Sequence, residues 1–293
     1  MKSRNLVIKT ISYLFQSILI YFFFLIGFIL GIKISRTLFA FLFSLIGPFF
    51  RSRKIIYSNI QRAFPNITEK EILNISKNMW NNYGRVFAEY MFIKKYRNEF
   101  FKFGIRLHGS EILKKIKHEN RPVIFISGHF ANFELMAMTL EKMGIKLSAI
   151  YRPLNNKFLN VIMEQIRKKY ICKFQIKKGV SGLREIIKLN KKGFSTALMI
   201  DQRVSEGILS NFFNKKAHTT TIPAQLVKKY GYDVVPISIE RFDHIKFNIR
   251  IHKPLKYSKN TTTEEITQNL NNFIEKMLIK NPNQWIWSHN RWK

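Results

Sequence analysis

Cysteine is nearly absent from this sequence: its 293 residues contain one, Cys172. An intramolecular disulfide is therefore excluded, and a lone thiol fits a reducing compartment. Acidic side chains are also scarce, 18 Asp and Glu against 50 Lys and Arg, which gives a formal net charge of +32. A charge of that size implies anionic partners. Nucleic acid is the first to consider, but the chain has no zinc-finger spacing, no RNA-recognition aromatic signature and no evident helix-turn-helix. The basic residues are spread along the chain and form no tail, so no nucleic acid is expected. Phospholipid headgroups, phosphorylated lipids and acidic carrier proteins fit a basic protein at a membrane better. Internal repeats and low-complexity linkers are missing too.

What the chain does have is a long uncharged run. Residues Thr10–Ile32 contain no charged side chain. As a helix they rise about 34 Å, enough to cross the hydrocarbon core. The run is too long for a signal peptide and no small-residue cleavage site follows it, so an uncleaved transmembrane helix is expected. A second apolar run, Thr37–Phe50, is too short to span and contains Gly47-Pro48. It reads as an interfacial helix. Lys2, Arg4 and Lys9 precede the span, whereas Lys33, Arg36, Arg51, Arg53 and Lys54 follow it. That excess favours a single-pass protein with its body on the cytoplasmic side. The expected organisation is a membrane anchor and interfacial helix over 1–50 and one folded domain over 51–293.

Arg51–Arg97 reads as helical, with a break at Ala63-Phe64-Pro65-Asn66 and a restart at Thr68, where Glu71 completes a capping-box spacing. Strands are expected at Val123–Ser127, Lys146–Tyr151, Ser195–Ile200, Val234–Glu240 and Lys246–His252. Helices are expected at Phe130–Met143, Lys157–Lys169, Ser181–Leu189, Ile222–Tyr230 and Glu264–Ile279. Strands separated by helices imply an α/β fold, a mostly parallel sheet flanked by helices.

Chemistry concentrates where the apolar run Val123–Ser127 ends. Gly128 allows a tight exit, and His129 and Glu134 follow, five residues apart. If His129 lies in the turn and Glu134 about one turn inside the next helix, the carboxylate can hold one imidazole nitrogen and leave the other to take a proton. The spacing is not that of a zinc helix, and Ser127 is not in a nucleophile elbow. Arg152 follows the strand ending at Tyr151, and Asp201 follows the strand ending at Ile200. His129, Arg152 and Asp201 thus share the carboxyl edge of the sheet, where open α/β folds bind ligands.

At these residues the sequence resembles the late acyltransferases of lipid A biosynthesis, the lauroyl/myristoyl type, and more distantly the glycerolipid acyltransferases with an H-x4-D/E signature. Gly128-His-Phe-Ala-Asn-Phe-Glu134 is similar to the family's G-H-x-G-N-W-E block, departing at Ala131 and Phe133. Asn59-Ile-Gln-Arg-Ala-Phe-Pro65, Tyr151-Arg-Pro153, Ile200-Asp-Gln202 and Val234-Val-Pro236 follow in the family's order. Pro282–Lys293 resembles its P-x-Q-W-x-W-x-H-x-R-W ending.

The resemblance implies transfer of a fatty acyl chain from acyl carrier protein to a hydroxyl of a Kdo-bearing lipid A precursor, at the inner membrane, with no metal or other cofactor. Acyl carrier protein, the lipid A precursor and membrane phospholipid are the implied partners. His129 would be the catalytic base and Glu134 its orienting carboxylate. Arg152, Asp201 and Asn132 would bind substrate, with Arg152 or backbone N–H groups facing the oxyanion. Two other readings stay open: acyl-CoA-dependent acylation of another glycolipid such as a phosphatidylinositol mannoside, and a non-catalytic basic membrane protein binding anionic lipid or nucleic acid.

Overall fold

The computed structural model describes the backbone of residues 2–293 and the side chains from residue 7 onward. The side chains of Lys2 and Arg4, counted above in the flanking charge, lie outside the described residues.

The helical stretch Lys2–Phe50 (α1) is not one rod. Gly31 takes φ 73° and ψ 166°, a conformation that a Cβ would resist, and the chain doubles back there. Ser35 Oγ donates to the Gly27 carbonyl at 2.7 Å. The rings of Phe23 and Phe39 lie 6.0 Å apart, where a straight helix would separate them by about 24 Å. Two arms result, 2–30 and 32–50. The second arm lies against α3 (Glu69–Met91), the helix that follows α2 (Arg53–Ala63). The approach is close enough that a Cβ on Gly84 would fall 2.0 Å from the Phe39 carbonyl oxygen. Phe39 and Phe43 both pack on Phe87, at 5.1 and 5.3 Å between ring centroids.

The first arm also touches the body. Ser17 Oγ donates to Asn156 Oδ1 at 3.1 Å, and the Tyr21 hydroxyl donates to the Phe158 carbonyl at 3.0 Å. Phe24 packs on Phe87 at 5.1 Å. Its other side, with Ile18, Phe22, Leu25 and Ile29, is exposed. Residues 7–50 are apolar and long enough to cross a membrane. The arm expected to cross the membrane touches the folded domain at Ser17, Tyr21 and Phe24, and the apolar run Thr37–Phe50 is packed on α3.

The helical bundle opens with a capping box: Thr68 Oγ1 accepts from Glu71 N–H, and Glu71 Oε2 accepts from Thr68 N–H. After α4 (Ile93–Asn98) come β1 (Ile105–His108), α5 (Ser110–Glu119), β2 (Ile124–Ser127), α6 (Glu134–Lys142), β3 (Leu147–Tyr151), α7 (Lys157–Tyr170), β4 (Phe174–Lys177), α8 (Val180–Asn190) and β5 (Ser195–Met199). A two-stranded hairpin, β6 (Ile208–Phe212) and β7 (Lys215–Thr219), precedes α9 (Ile222–Tyr230), β8 (Val234–Phe242), β9 (Lys246–Ile251) and α10 (Thr263–Lys280).

Seven strands form one sheet in the order β1-β9-β8-β2-β5-β3-β4. The run β8-β2-β5-β3-β4 is parallel, and β9 joins it antiparallel to β8. The mostly parallel α/β sheet read from the sequence is thus present. Alternate side chains of β2 serve opposite faces: Ile124 and Ile126 join the core that includes Trp285 and Leu270, while Phe125 joins the one that includes Leu135 and Phe247. Burial on both faces is why β2 reads as an unbroken apolar run.

Candidate active site

The parallel pairing of β2 with β5 sets Ser127 opposite Met199. Each strand ends there, so the second residue beyond each end, His129 and Asp201, meets the other at the carboxyl edge. His129 Nδ1 lies 2.8 Å from Asp201 Oδ1, and the His129 backbone N–H donates to Oδ2 at 2.8 Å. Trp285 Nε1 donates to the same Oδ2 at 2.7 Å. Gly128 makes room for this: a Cβ there would stand 3.2 Å from Asp201 Cγ and 2.7 Å from the Phe130 ring.

Asp201 is 1% exposed. Burial alone would raise its pKa, but the charge and hydrogen bonds of His129, with the Trp285 N–H, outweigh burial and hold the carboxyl at about 2. Asp201, expected to bind substrate, is therefore a buried anion beneath the imidazole and is not among the residues that line the cavity. With Nδ1 on that carboxylate, Nε2 is the nitrogen left for the cavity that His129 lines.

The expected pairing of Glu134 with His129 does not form. Ala131 adopts φ 47°, which delays the helix, so α6 begins at Glu134 and not at Phe130. From that first position Glu134 Oε1 accepts from Arg167 Nε at 2.9 Å and Nη2 at 2.5 Å, across to α7. Both residues line the cavity wall. Asn132, also expected to bind substrate, is bonded to α3. It is 1% exposed, donates to Glu89 Oε2 at 3.0 Å, and is not a cavity residue. Arg152 does stand on the cavity, one residue past β3.

The cavity measures about 310 Å³. Exposed cations, Arg152 and Lys178, stand at its mouth, and buried Ala137, Ala149, Ile171 and Ala197 form its apolar depth. Sequence reasoning missed Arg167 and His289 on the same cavity. His289 Nε2 accepts the Arg203 backbone N–H at 3.0 Å. Burial pushes its pKa down to about 4; His129, Arg291 and Arg152 act in the same direction, and Asp201 acts against them. The only signal for His289 was its place in the W-x-W-x-H block. Among the described residues no group of three or more His, Cys, Asp or Glu could hold a metal ion.

The profile of the bacterial lipid A biosynthesis acyltransferases matches residues 1–293. This chain belongs to that family. A lipid A biosynthesis acyltransferase 2 of Shigella flexneri is 23% identical over 244 residues, 81% of this chain and 76% of the relative. The lipid A biosynthesis palmitoleoyltransferase of Escherichia coli K12 is 24% identical, over 84% of this chain and 80% of the relative. The lauroyltransferase of the same strain is also 24% identical, over 83% and 79%. A solved structure with similar coverage is the 1-acyl-sn-glycerophosphate acyltransferase PlsC of Thermotoga maritima. It covers 87% of this chain and all of its own, at 18% identity and a TM-score of 0.43. In this lipid A acyltransferase, two segments that carried the sequence resemblance touch. Asn59 Nδ2 donates to the carbonyls of Trp287 and His289, each at 2.8 Å.

Proposed function

We propose that this chain moves a fatty acyl group from the thioester of acyl carrier protein to a hydroxyl of a Kdo-bearing lipid A precursor. The observation that carries the reading is one imidazole, fixed at Nδ1 by a buried carboxylate, facing a cavity with a cationic mouth and an apolar depth.

An alcohol is a poor nucleophile at neutral pH, so its proton must leave as it attacks. His129 Nε2 takes that proton while the alkoxide oxygen bonds to the thioester carbonyl carbon. The tetrahedral intermediate collapses, the C–S bond breaks, and the departing thiolate recovers the proton from the imidazolium. Asp201 stays ionised throughout, its carboxyl held at about 2 by its hydrogen bonds and by His129. Arg152 at the mouth faces the developing oxyanion or a phosphate of the substrate, and the Glu134–Arg167 pair forms a polar section of the wall. Lys178 and Arg152 supply the attraction for an acidic carrier and a phosphorylated acceptor. The two apolar arms would hold the protein in the inner membrane as a re-entrant hairpin, with the body on the cytoplasmic side. The contacts of Ser17 and Tyr21 with the body favour that arrangement over the single pass suggested by the sequence.

The test uses purified full-length protein with labelled acyl chains on acyl carrier protein or on CoA, and Kdo-bearing lipid A precursor as acceptor. Label entering the acceptor from the carrier protein, and losing most of its rate in His129→Ala, is the expected result. No transfer from either donor would overturn the reading, and transfer from CoA alone would replace the donor.

A further inference from the structure

Glu89, near the end of α3, is fully buried. Its Oε1 accepts from Arg36 Nε at 3.1 Å and from Arg241 Nη1; its Oε2 accepts from Arg241 Nη2 at 2.9 Å and from Asn132 Nδ2 at 3.0 Å. Arg36 also donates to the Tyr96 hydroxyl. One carboxylate therefore joins the 32–50 arm, the strand β8 and the turn that carries His129.

A purely architectural ion cluster accounts for Arg36 and Arg241 but leaves Asn132 unexplained. The Asn132 Oδ1 is buried with no hydrogen-bond partner among the described residues. A buried amide normally satisfies both ends. Here it is kept for its N–H alone, and that N–H goes to Glu89. Ala131, the preceding residue, is held at φ 47°. Its N–H donates to the Gln284 carbonyl at 3.0 Å, and its carbonyl accepts from Asn82 Nδ2 at 3.4 Å. Both props lead back to Arg241: Asn82 Oδ1 accepts from Arg241 Nε at 3.0 Å, and the Gln284 side chain bonds the Arg241 backbone at both N–H and carbonyl. A non-glycine residue keeps such a backbone only where its surroundings determine it. The turn thus enters α6 late because Glu89 and Arg241 hold residues 131 and 132, and His129 sits two residues upstream.

We propose that Glu89 is a positioning residue: through Asn132 and Arg241 it sets the turn that places His129, and Arg36 makes that setting depend on the docked 32–50 arm. The inference rests on His129 being the base, so its test carries one measurement that needs no acyl transfer. In the full-length protein in detergent, Asn132→Ala deletes the link and leaves both arginine pairs, whereas Glu89→Gln weakens the whole hub. Two quantities are read in folded protein: kcat and KM for the acyl donor, and the rate at which diethyl pyrocarbonate modifies His129, followed by peptide mass spectrometry across pH.

Asn132→Ala is expected to lower kcat about tenfold or more with KM changed by less than about threefold, as for loss of an interaction that matters in the transition state. His129 modification should shift in the same variant, and Arg36→Met should move both quantities in the same direction. If Glu89→Gln does not fold, Asn132→Ala decides alone. Parental kcat and parental His129 reactivity in folded Asn132→Ala would overturn the inference. If the parent transfers no acyl group, the proposed function fails, while the His129 reactivity still decides the positioning.

Discussion

Trp285 and His129 bind the same carboxylate, the indole Nε1 2.7 Å from Asp201 Oδ2 and the imidazole Nδ1 2.8 Å from Oδ1. The tryptophan fixes the carboxylate plane, and that plane fixes the ring. Replacing Asp201 with Asn keeps the shape but removes the charge that stabilises the imidazolium. Asp201→Asn should therefore lower kcat by about 10²–10⁴-fold. Glu134→Gln, which loosens Arg167 and leaves the His129–Asp201 bond in place, should lower it by about tenfold or less. Steady-state kinetics of both variants checks this; a larger loss in Glu134→Gln would return Glu134 to the imidazole.

Chain-length preference should respond to the small residues of the apolar depth. Ala137 is 8% exposed and lines the cavity from α6. Ala137→Leu adds methylenes into that space. We expect kcat/KM for the longest accepted acyl chain to fall about tenfold relative to a chain four carbons shorter, a difference of about 1.4 kcal/mol. Equal losses for both chain lengths, measured with matched donors, would mean that the acyl group lies elsewhere.

Acid should weaken the fold before it protonates Asp201. The folded-state pKa of His289 lies at about 4, below the value of 6.5 it has when free. Between those values the unfolded chain binds the extra proton, so stability is intact above pH 6.5 and declines as pH falls toward 4. Urea midpoints between pH 4.5 and 7.5 should show that slope, and His289→Gln should reduce it. His252, also lowered by burial, leaves a residual slope. An unchanged slope in the variant would refute the assignment.

Two glycines that shape the arm make different demands, Gly31 at its bend and Gly84 on α3 beneath it. At Gly31 a Cβ meets nothing within 4 Å, so Gly31→Ala carries only the backbone strain of φ 73° and ψ 166°, a cost of about 1–3 kcal/mol. At Gly84 a Cβ would stand 2.0 Å from the backbone oxygen of Phe39, which cannot swing aside. Gly84→Ala should lower the thermal midpoint more than Gly31→Ala does and release the 32–50 arm to protease. The reverse order would refute the packing described for the arm.

The central strands were legible because burial on both faces leaves a dense hydrophobic signature, as in Ile124–Ser127, and Lys246–Ile251 because its buried apolar residues alternate with polar ones. The strands that escaped, Ile105–His108, Phe174–Lys177 and the hairpin Ile208–Thr219, mix charged or polar side chains with apolar ones and lie at a sheet edge or outside the main sheet. At the site, His129, Arg152 and Asp201 were placed on the correct edge, yet His129 was given the wrong carboxylate. The error came from counting along the chain: Glu134 is five residues away, whereas Asp201 is 72 residues away and adjacent only because β5 pairs with β2. Once those strands are neighbours, the partnership follows. The Glu89 hub joins residues 53 and 152 positions apart in sequence, with no local pattern to mark it.

Because β2 and β5 lie side by side only after the intervening helices have folded, the order of events during synthesis is constrained. A histidine made early waits for a counter-ion 72 residues later, and that counter-ion waits for an indole 84 residues beyond itself. Long-range parallel pairing is slow to form. A nascent chain therefore carries His129 before Asp201 and Trp285 have been made, and the site cannot be complete until the Trp285 segment has emerged.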